Sequence, residues 1–290
     1  MVALVRLLGN KNIETRRAAV MALNMCSRDM GAAVEICNMG GLVELIHMKD
    51  THWKQLGEVC NDTMVRLLKQ NPRAKFWNTG SLDVDDKTQD GFYDLGIGRE
   101  FSYVAALKEL AVEADIEVIV CDSSADAKLG KLLDSARAAL AAEEDKEGRV
   151  RALANLVSQQ LGGSLSYEEY GNFGFATDVQ RAKLERKSNV LYVGDLAKGA
   201  CRHRALLFKF LADQVGIECK LQRSRHVRGA HIGHAWNFVY TEFDKGFVVD
   251  LMHSVGALYA EGSVDANKYA RLDAFAFSTL IEGAAPALGL

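Results

Sequence analysis

The chain has 290 residues, 49% hydrophobic and 25% charged, with a net charge of −3 and a pI near 6.2. That balance gives no general pull toward nucleic acid or an anionic membrane. The longest apolar runs fall far short of the ~20 residues that span a bilayer, and the N-terminus lacks a signal-peptide pattern. Six cysteines, at 26, 37, 60, 121, 201 and 219, are scattered without a paired framework, so a reducing compartment, the cytoplasm, is expected.

The first 72 residues are helical patterns with small residues at internal positions, and they repeat weakly. Ala3-Leu-Val-Arg-Leu-Leu8 aligns with Gly41-Leu-Val-Glu-Leu-Ile46, and Ala19 and Ala22 then match the small residues Gly57 and Cys60. A helical period of about 40 predicts an armadillo or HEAT solenoid. Because solenoid units bury their apolar faces on neighbours, about three or more are normally needed. Under two are present, the first already begun at Met1-Val-Ala-Leu-Val. The expectation is a fragment of a longer protein, or helices packed directly on a second domain. A plain helical extension without a binding role is the alternative. Pro72 is the only proline before Pro286, and Asn71-Pro72 marks the expected domain boundary.

Beyond it the pattern is mixed. Glu117-Val-Ile-Val-Cys-Asp122 predicts a short buried strand, followed by a helix to about Ala142 and a charged stretch, Glu143 to Gly148. A second helix is expected from about Arg149 to Leu161, stopped by Gly162-Gly163. After Cys201 opens a third, strands are expected at Ile217 to Leu221, Ala235 to Tyr240 and Gly246 to Leu251. The last two read as a hairpin joined by Glu242-Phe-Asp-Lys-Gly246. Helices first and an antiparallel sheet after predict an α+β fold.

Three residues of this region carry nucleophile chemistry. Cys201 lies in the first turn of an apolar-periodic helix (Ala205, Leu206, Leu207, Phe210, Leu211), where the helix N-terminus, with Arg202 and Arg204 alongside, favours thiolate. His234 precedes one hairpin strand and Asp250 ends the other. A turn centred near residue 242 or 243 puts them opposite or diagonal on one face, roughly 5 to 8 Å apart at Cβ. A carboxylate there can hold the imidazole while its other nitrogen takes the thiol proton. The backbone N–H of Cys201 is the natural first oxyanion donor. For the second, the candidates are the Trp77 indole and the Gln159 or Gln160 amide.

Several segments together carry a resemblance: Phe76-Trp-Asn-Thr-Gly-Ser-Leu82, Asp86-Lys-Thr-Gln-Asp-Gly-Phe-Tyr-Asp94, Glu117 to Asp122, Leu161-Gly-Gly163 and Cys201-Arg-His-Arg-Ala-Leu-Leu-Phe-Lys209. Over about residues 73 to 258 they resemble the domain N-terminal in plant Raf-like kinases of the constitutive-triple-response and enhanced-disease-resistance type. The same domain follows armadillo repeats in the armadillo repeat-containing protein 3 family. Ile36-Cys-Asn-Met-Gly-Gly-Leu-Val-Glu-Leu-Ile46 likewise looks like the Gly-Gly turn and following helix of an armadillo repeat, and Ala18 to Asn24 like its third helix.

The resemblance implies an α+β chain: the C-terminal portion of an armadillo α-solenoid over 1–72, a transglutaminase-like/papain-like domain with an antiparallel sheet over 73–260, and an extension over 261–290. It implies Cys201 as nucleophile, His234 as base and Asp250 as orienting acid, with no cofactor or metal. Partners would be other proteins, not nucleic acid or membrane, in a cytoskeletal or ciliary/axonemal assembly. No Gly-rich kinase loop or catalytic-loop motif occurs, so kinase activity is not implied.

Two function classes stay open: an interaction scaffold that retains the triad, and a cysteine-dependent amide hydrolase or acyl transferase working through a Cys201 thioester. A zinc site from His203, His226, His231, His234, Cys201 and Cys219 competes, without paired ligand spacing. Lys220 to His234 is a basic stretch able to grip an acidic partner or form a lid over Cys201.

Overall fold

The computed structural model describes the chain apart from residues 52, 97–99, 114–115, 224–233, 242–244 and 271–290. It divides into two compact units: Met1–Thr79 with Tyr93–Val118 and Ser188–Val190, and Gly80–Phe92 with Ile119–Lys187 and the chain from Leu191 onward.

The first unit starts with six helices: α1 Val2–Leu7, α2 Ile13–Cys26, α3 Met30–Asn38, α4 Gly41–Thr51, α5 Trp53–Gln70 and α6 Pro72–Thr79. Asn12 and Asp29 cap α2 and α3 by accepting backbone N–H groups of the first turn. Pro72 takes the first position of α6, where its missing N–H costs nothing. Helix α5 packs on α2, α3 and α4, around fully buried Leu23, Ile36, Leu42, Leu45 and Leu67. Gly40 adopts φ +81°, and a Cβ on Gly41 would lie 2.7 Å from Ile36 Cγ2, so this Gly-Gly pair is what lets α3 and α4 meet. From Val2 to Gly41, Ile13 to Trp53 and Met30 to Pro72, helix starts recur after 39, 40 and 42 residues. The weak sequence repeat therefore has a counterpart in the helices. A seventh short helix, α7 Val104–Lys108, belongs to the same unit.

The second unit is built on a five-stranded sheet of β1 Ser81–Leu82, β5 Cys219–Arg223, β6 Ala235–Tyr240, β7 Gly246–Val249 and β8 Leu258–Ala260, in that spatial order. All its pairings are antiparallel. A three-stranded sheet contains β2 Phe92–Asp94, β3 Val118–Cys121 and β4 Val190–Tyr192. Helices α8 Ala127–Ala141, α9 Lys146–Gln160, α10 Tyr167–Tyr170, α11 Phe175–Arg186, α12 Cys201–Val215 and α13 Val264–Ala270 complete it.

The architecture is the expected α+β with an antiparallel sheet, but strand β1 precedes most of these helices and pairs with β5, so sheet and helices interleave along the chain. Boundaries also move: the strand expected at Ile217 to Leu221 is β5 Cys219–Arg223. Helix α9 begins at Lys146, ahead of Arg149, because Asp145 caps it by accepting the Gly148 N–H at 2.6 Å. Strand β7 stops at Val249, ahead of Leu251, because Asp250 begins a turn. Glu242, Phe243 and Asp244 of the expected hairpin turn lie outside the described residues. Among the described residues no helix is long and apolar enough to cross a membrane.

Candidate functional site

Helix α12 starts at Cys201 and is buried along most of its length, including Arg204 and Lys209. Its N-terminus is shaped by His203, whose Nδ1 accepts the Ala200 N–H at 3.0 Å. Its end is a Schellman turn: Gly216 is left-handed at φ +75° and the Ile217 N–H reaches the Ala212 carbonyl. The helix lies on the sheet face of Ala235, Asn237 and Val239, with Asn237 Nδ2 donating to the Ala205 carbonyl at 3.1 Å. Cys201 is 5% exposed and packs with Leu165, Phe173 and Met252.

Arg204 fastens the start of this helix to its surroundings. Its Nε donates to the Gly199 carbonyl at 2.8 Å. One terminal nitrogen donates to Ser158 Oγ and the Leu251 carbonyl, the other to the Leu161 carbonyl. The sequence suggested that Arg204 would favour the thiolate. Here its donors are aimed at carbonyls, tying the Cys201 turn to the residue after Asp250 and to the end of α9. The Leu161-Gly-Gly163 segment serves the same junction: Leu161 O also accepts the Gly199 N–H, and a Cβ on Gly162 would sit 2.6 Å from the Phe173 ring. A few residues on, the Leu165 N–H donates to the Met252 carbonyl.

Asp250 is 1% exposed. Its Oδ1 accepts the N–H groups of Met252 at 2.7 Å and His253 at 2.8 Å; its Oδ2 accepts the Ser254 N–H at 3.0 Å and the Tyr259 hydroxyl at 3.3 Å. The carboxylate thus organises the turn between β7 and β8. The β6–β7 register ends with Asn237 facing Val249, so His234, just before β6, and Asp250, just after β7, stand at the same end of the pair. His234 is 3% exposed. Its ring stacks on Trp236 with centroids 5.6 Å apart and meets the edge of Tyr269 at 5.2 Å, on the sheet face opposite α12.

Tyr269, on α13, escaped the reading of the sequence. It is buried, its hydroxyl accepts the Leu251 N–H at 3.1 Å, and its ring lies 6.0 Å from that of Tyr259. Its phenol is held well above its ordinary range by burial and then by the Asp250 carboxylate, with Cys201 and Tyr259 adding to the shift. Tyr269 touches His234 and feels the charge of Asp250. It is the common neighbour of the two. The only signal for it was Ala266 and Tyr269 three residues apart behind Ser263, a short amphipathic turn.

The other candidates fall elsewhere. Trp77 belongs to the first unit, against Phe101 at 5.6 Å. Gln159 and Gln160 line a cleft of about 440 Å3 with Lys128, Arg181, Arg186 and Asp195, and Cys201 is not among its lining residues. Among the described residues no cluster of three His, Cys, Asp or Glu side chains is arranged for a metal, and His226 and His231 lie outside them. Cys219 is fully enclosed and its thiol is pushed up to about 12 by burial. Most of the basic stretch, 224–233, is likewise outside the described residues; at its start Lys220 Nζ sits over the Tyr240 ring at 5.2 Å. The Asp86–Asp94 segment is structural in part: Thr88 donates from both its N–H and its hydroxyl to Asp213 of α12.

A buried cysteine thus heads helix α12, and His234 and Asp250 stand at the ends of two neighbouring strands of the antiparallel sheet. The chain belongs to the EDR1/CTR1/ARMC3 peptidase-like family, whose sequence profile matches residues 69–259. Over 199 residues, 63% of this chain and 19% of the relative, it is 32% identical to the probable serine/threonine-protein kinase SIS8 of Arabidopsis thaliana. It is 37% identical over 133 residues to armadillo repeat-containing protein 3 of Homo sapiens, covering 42% of this chain and 15% of that protein. With the serine/threonine-protein kinase CTR1 of Arabidopsis thaliana it shares 26% over 206 residues, 66% of this chain and 25% of the relative. The chain spans a quarter or less of each of these relatives. Helix α13 lies beyond the matched range.

Proposed function

We propose that this chain is a protein-interaction scaffold: armadillo-type helical repeats joined to a transglutaminase-like/papain-like domain that keeps Cys201, His234 and Asp250 in a closed site. The observation that carries this reading is the closure itself. Cys201, His234 and Asp250 are 5%, 3% and 1% exposed, whereas an enzyme site needs a cleft that admits substrate. Helix starts that recur at about 40 residues support the armadillo assignment, and the similarity to armadillo repeat-containing protein 3 supports protein partners. A cytoskeletal or ciliary setting rests on that similarity alone. Kinase activity belongs to the full-length plant relatives.

The second reading is a cysteine-dependent amide hydrolase or acyl transferase. It is favoured by a thiol on the first residue of a helix and by the place of His234 and Asp250 at the same end of the β6–β7 pair. The two readings separate in the pH dependence of Cys201 alkylation by iodoacetamide, read by mass spectrometry in the native protein and in His234→Ala. The scaffold reading expects slow alkylation, alike in both proteins. Fast alkylation with an apparent pKa well below the free thiol value of ~8.5, returned to that value by His234→Ala, would establish the enzyme reading in its place.

A further inference from the structure

Among the described residues, helix α13 lies against His234 and is separate from the three candidate residues. Helix α13 is seven residues long, too short to hold its shape without tertiary contacts. It buries Ala266 and Tyr269 against Val248, Trp236, Phe238 and Tyr259, while Val264 at its start is 82% exposed. Tyr269 supplies both the ring that lies on His234 and the hydroxyl that takes the Leu251 N–H. Gly262, at φ +78°, sits in the short connection from β8. On the other face of the sheet, α12 is tied down by Arg204 and by Lys209, whose Nζ donates to the Cys219 carbonyl of β5.

We propose that α13 is a detachable latch over the site, and that its release uncovers His234 while the Cys201 helix stays in place. The proposal rests on reading Cys201, His234 and Asp250 as a site, and adds the means by which that site is shut. The cover lies outside the family-matched residues 69–259. Undocking takes away one aromatic anchor and one hydrogen bond and leaves the five-stranded ladder whole. Such a segment opens by local unfolding, ahead of the sheet and α12.

The test has two arms. In the unaltered protein, native-state hydrogen exchange should find the amides of 264–270 and the Leu251 N–H exchanging about 100-fold faster than those of α12, at a rate insensitive to low denaturant. Exchange of these amides together with α12, only through global unfolding, overturns the latch. In Tyr269→Ala, carbethoxylation of His234 by diethyl pyrocarbonate should rise about 10-fold or more while alkylation of Cys219 stays unchanged, and Tyr269→Phe should fall between. Unchanged His234 modification in a folded Tyr269→Ala protein also overturns it. If His234 is uncovered but the pH profile of Cys201 in Tyr269→Ala is indifferent to His234→Ala, the latch stands and the reading of the three residues as a site fails.

Discussion

Two buried carboxylates of the second unit, Asp213 and Asp250, are about equally enclosed and held in opposite ways. Asp213 Oδ1 lies 2.9 Å from the Lys209 ammonium one turn back on α12, and both side chains are essentially unexposed. Thr88 donates twice to its other oxygen. Its charge is cancelled where it sits. Asp250 has three backbone N–H groups and a tyrosine hydroxyl around it, so its charge is solvated by dipoles and still acts on its surroundings, as the displaced Tyr269 phenol records. A neutralised carboxylate serves packing. A dipole-solvated one keeps a field beside His234, the condition an imidazolium there would require.

The comparison breaks most severely at Lys209. Lys209→Met leaves Asp213 with only the half-exposed Lys87 ammonium, 3.6 Å from Oδ1, and the two Thr88 donors, and should cost about 3 kcal/mol, read by urea unfolding. The double variant Lys209→Met with Asp213→Leu should recover much of that loss. If the single and double variants cost the same, the ion pair is not what distinguishes Asp213.

Asp250 should be less costly and more informative. Asp250→Ala strands the turn donors and should destabilise by about 2 to 3 kcal/mol, whereas Asp250→Asn, which keeps an acceptor for part of the turn, should cost about half of that. Removing the negative charge in Asp250→Asn should also lower the Tyr269 phenol, which burial still holds above its ordinary value. Absorbance titration near 295 nm measures it. A Tyr269 titration indifferent to Asp250→Asn would mean that the carboxylate exerts no field and is as purely structural as Asp213.

The parts of this site that were legible in the sequence are those whose residues lie close together. The helix opened by Cys201 has its apolar period, and the β6–β7 pair has its alternation, so both elements are present. So is the Gly40-Gly41 junction, where the sequence of the turn is also its steric requirement. What stayed hidden depends on partners far apart in the chain. Thr88 is bound to Asp213, and Arg204 also fastens the carbonyls of Gly199, Leu161 and Leu251. The end of β7 moved because a carboxylate read as catalytic is also the acceptor that turns the chain. Tyr269 carried almost no pattern, since a seven-residue helix with two buried side chains has too little periodicity to stand out.

Asp178 combines both ways of holding a carboxylate and gives the mildest test of the contrast. Arg181 donates to its Oδ1 at 2.5 Å, and the N–H groups of Ala197 and Lys198 donate to Oδ2 at 2.8 and 3.0 Å. Burial alone would raise this carboxyl; the Arg181 hydrogen bond and the two backbone donors outweigh it and set the group below its ordinary value. A carboxyl lowered by folding stabilises the native state fully above the unfolded value of ~3.9, and that contribution is lost as pH falls through the lower folded value. Asp178→Asn should therefore cost about 1 kcal/mol near neutral pH, with the gap to the parent closing below pH ~3.9. The Asp178→Asn, Arg181→Met pair then apportions the effect. If the loss follows Arg181, Asp178 behaves as Asp213 does; if it survives without the guanidinium, the two N–H groups suffice, and the dipole-held arrangement of Asp250 is sufficient to keep a carboxylate charged without a cation.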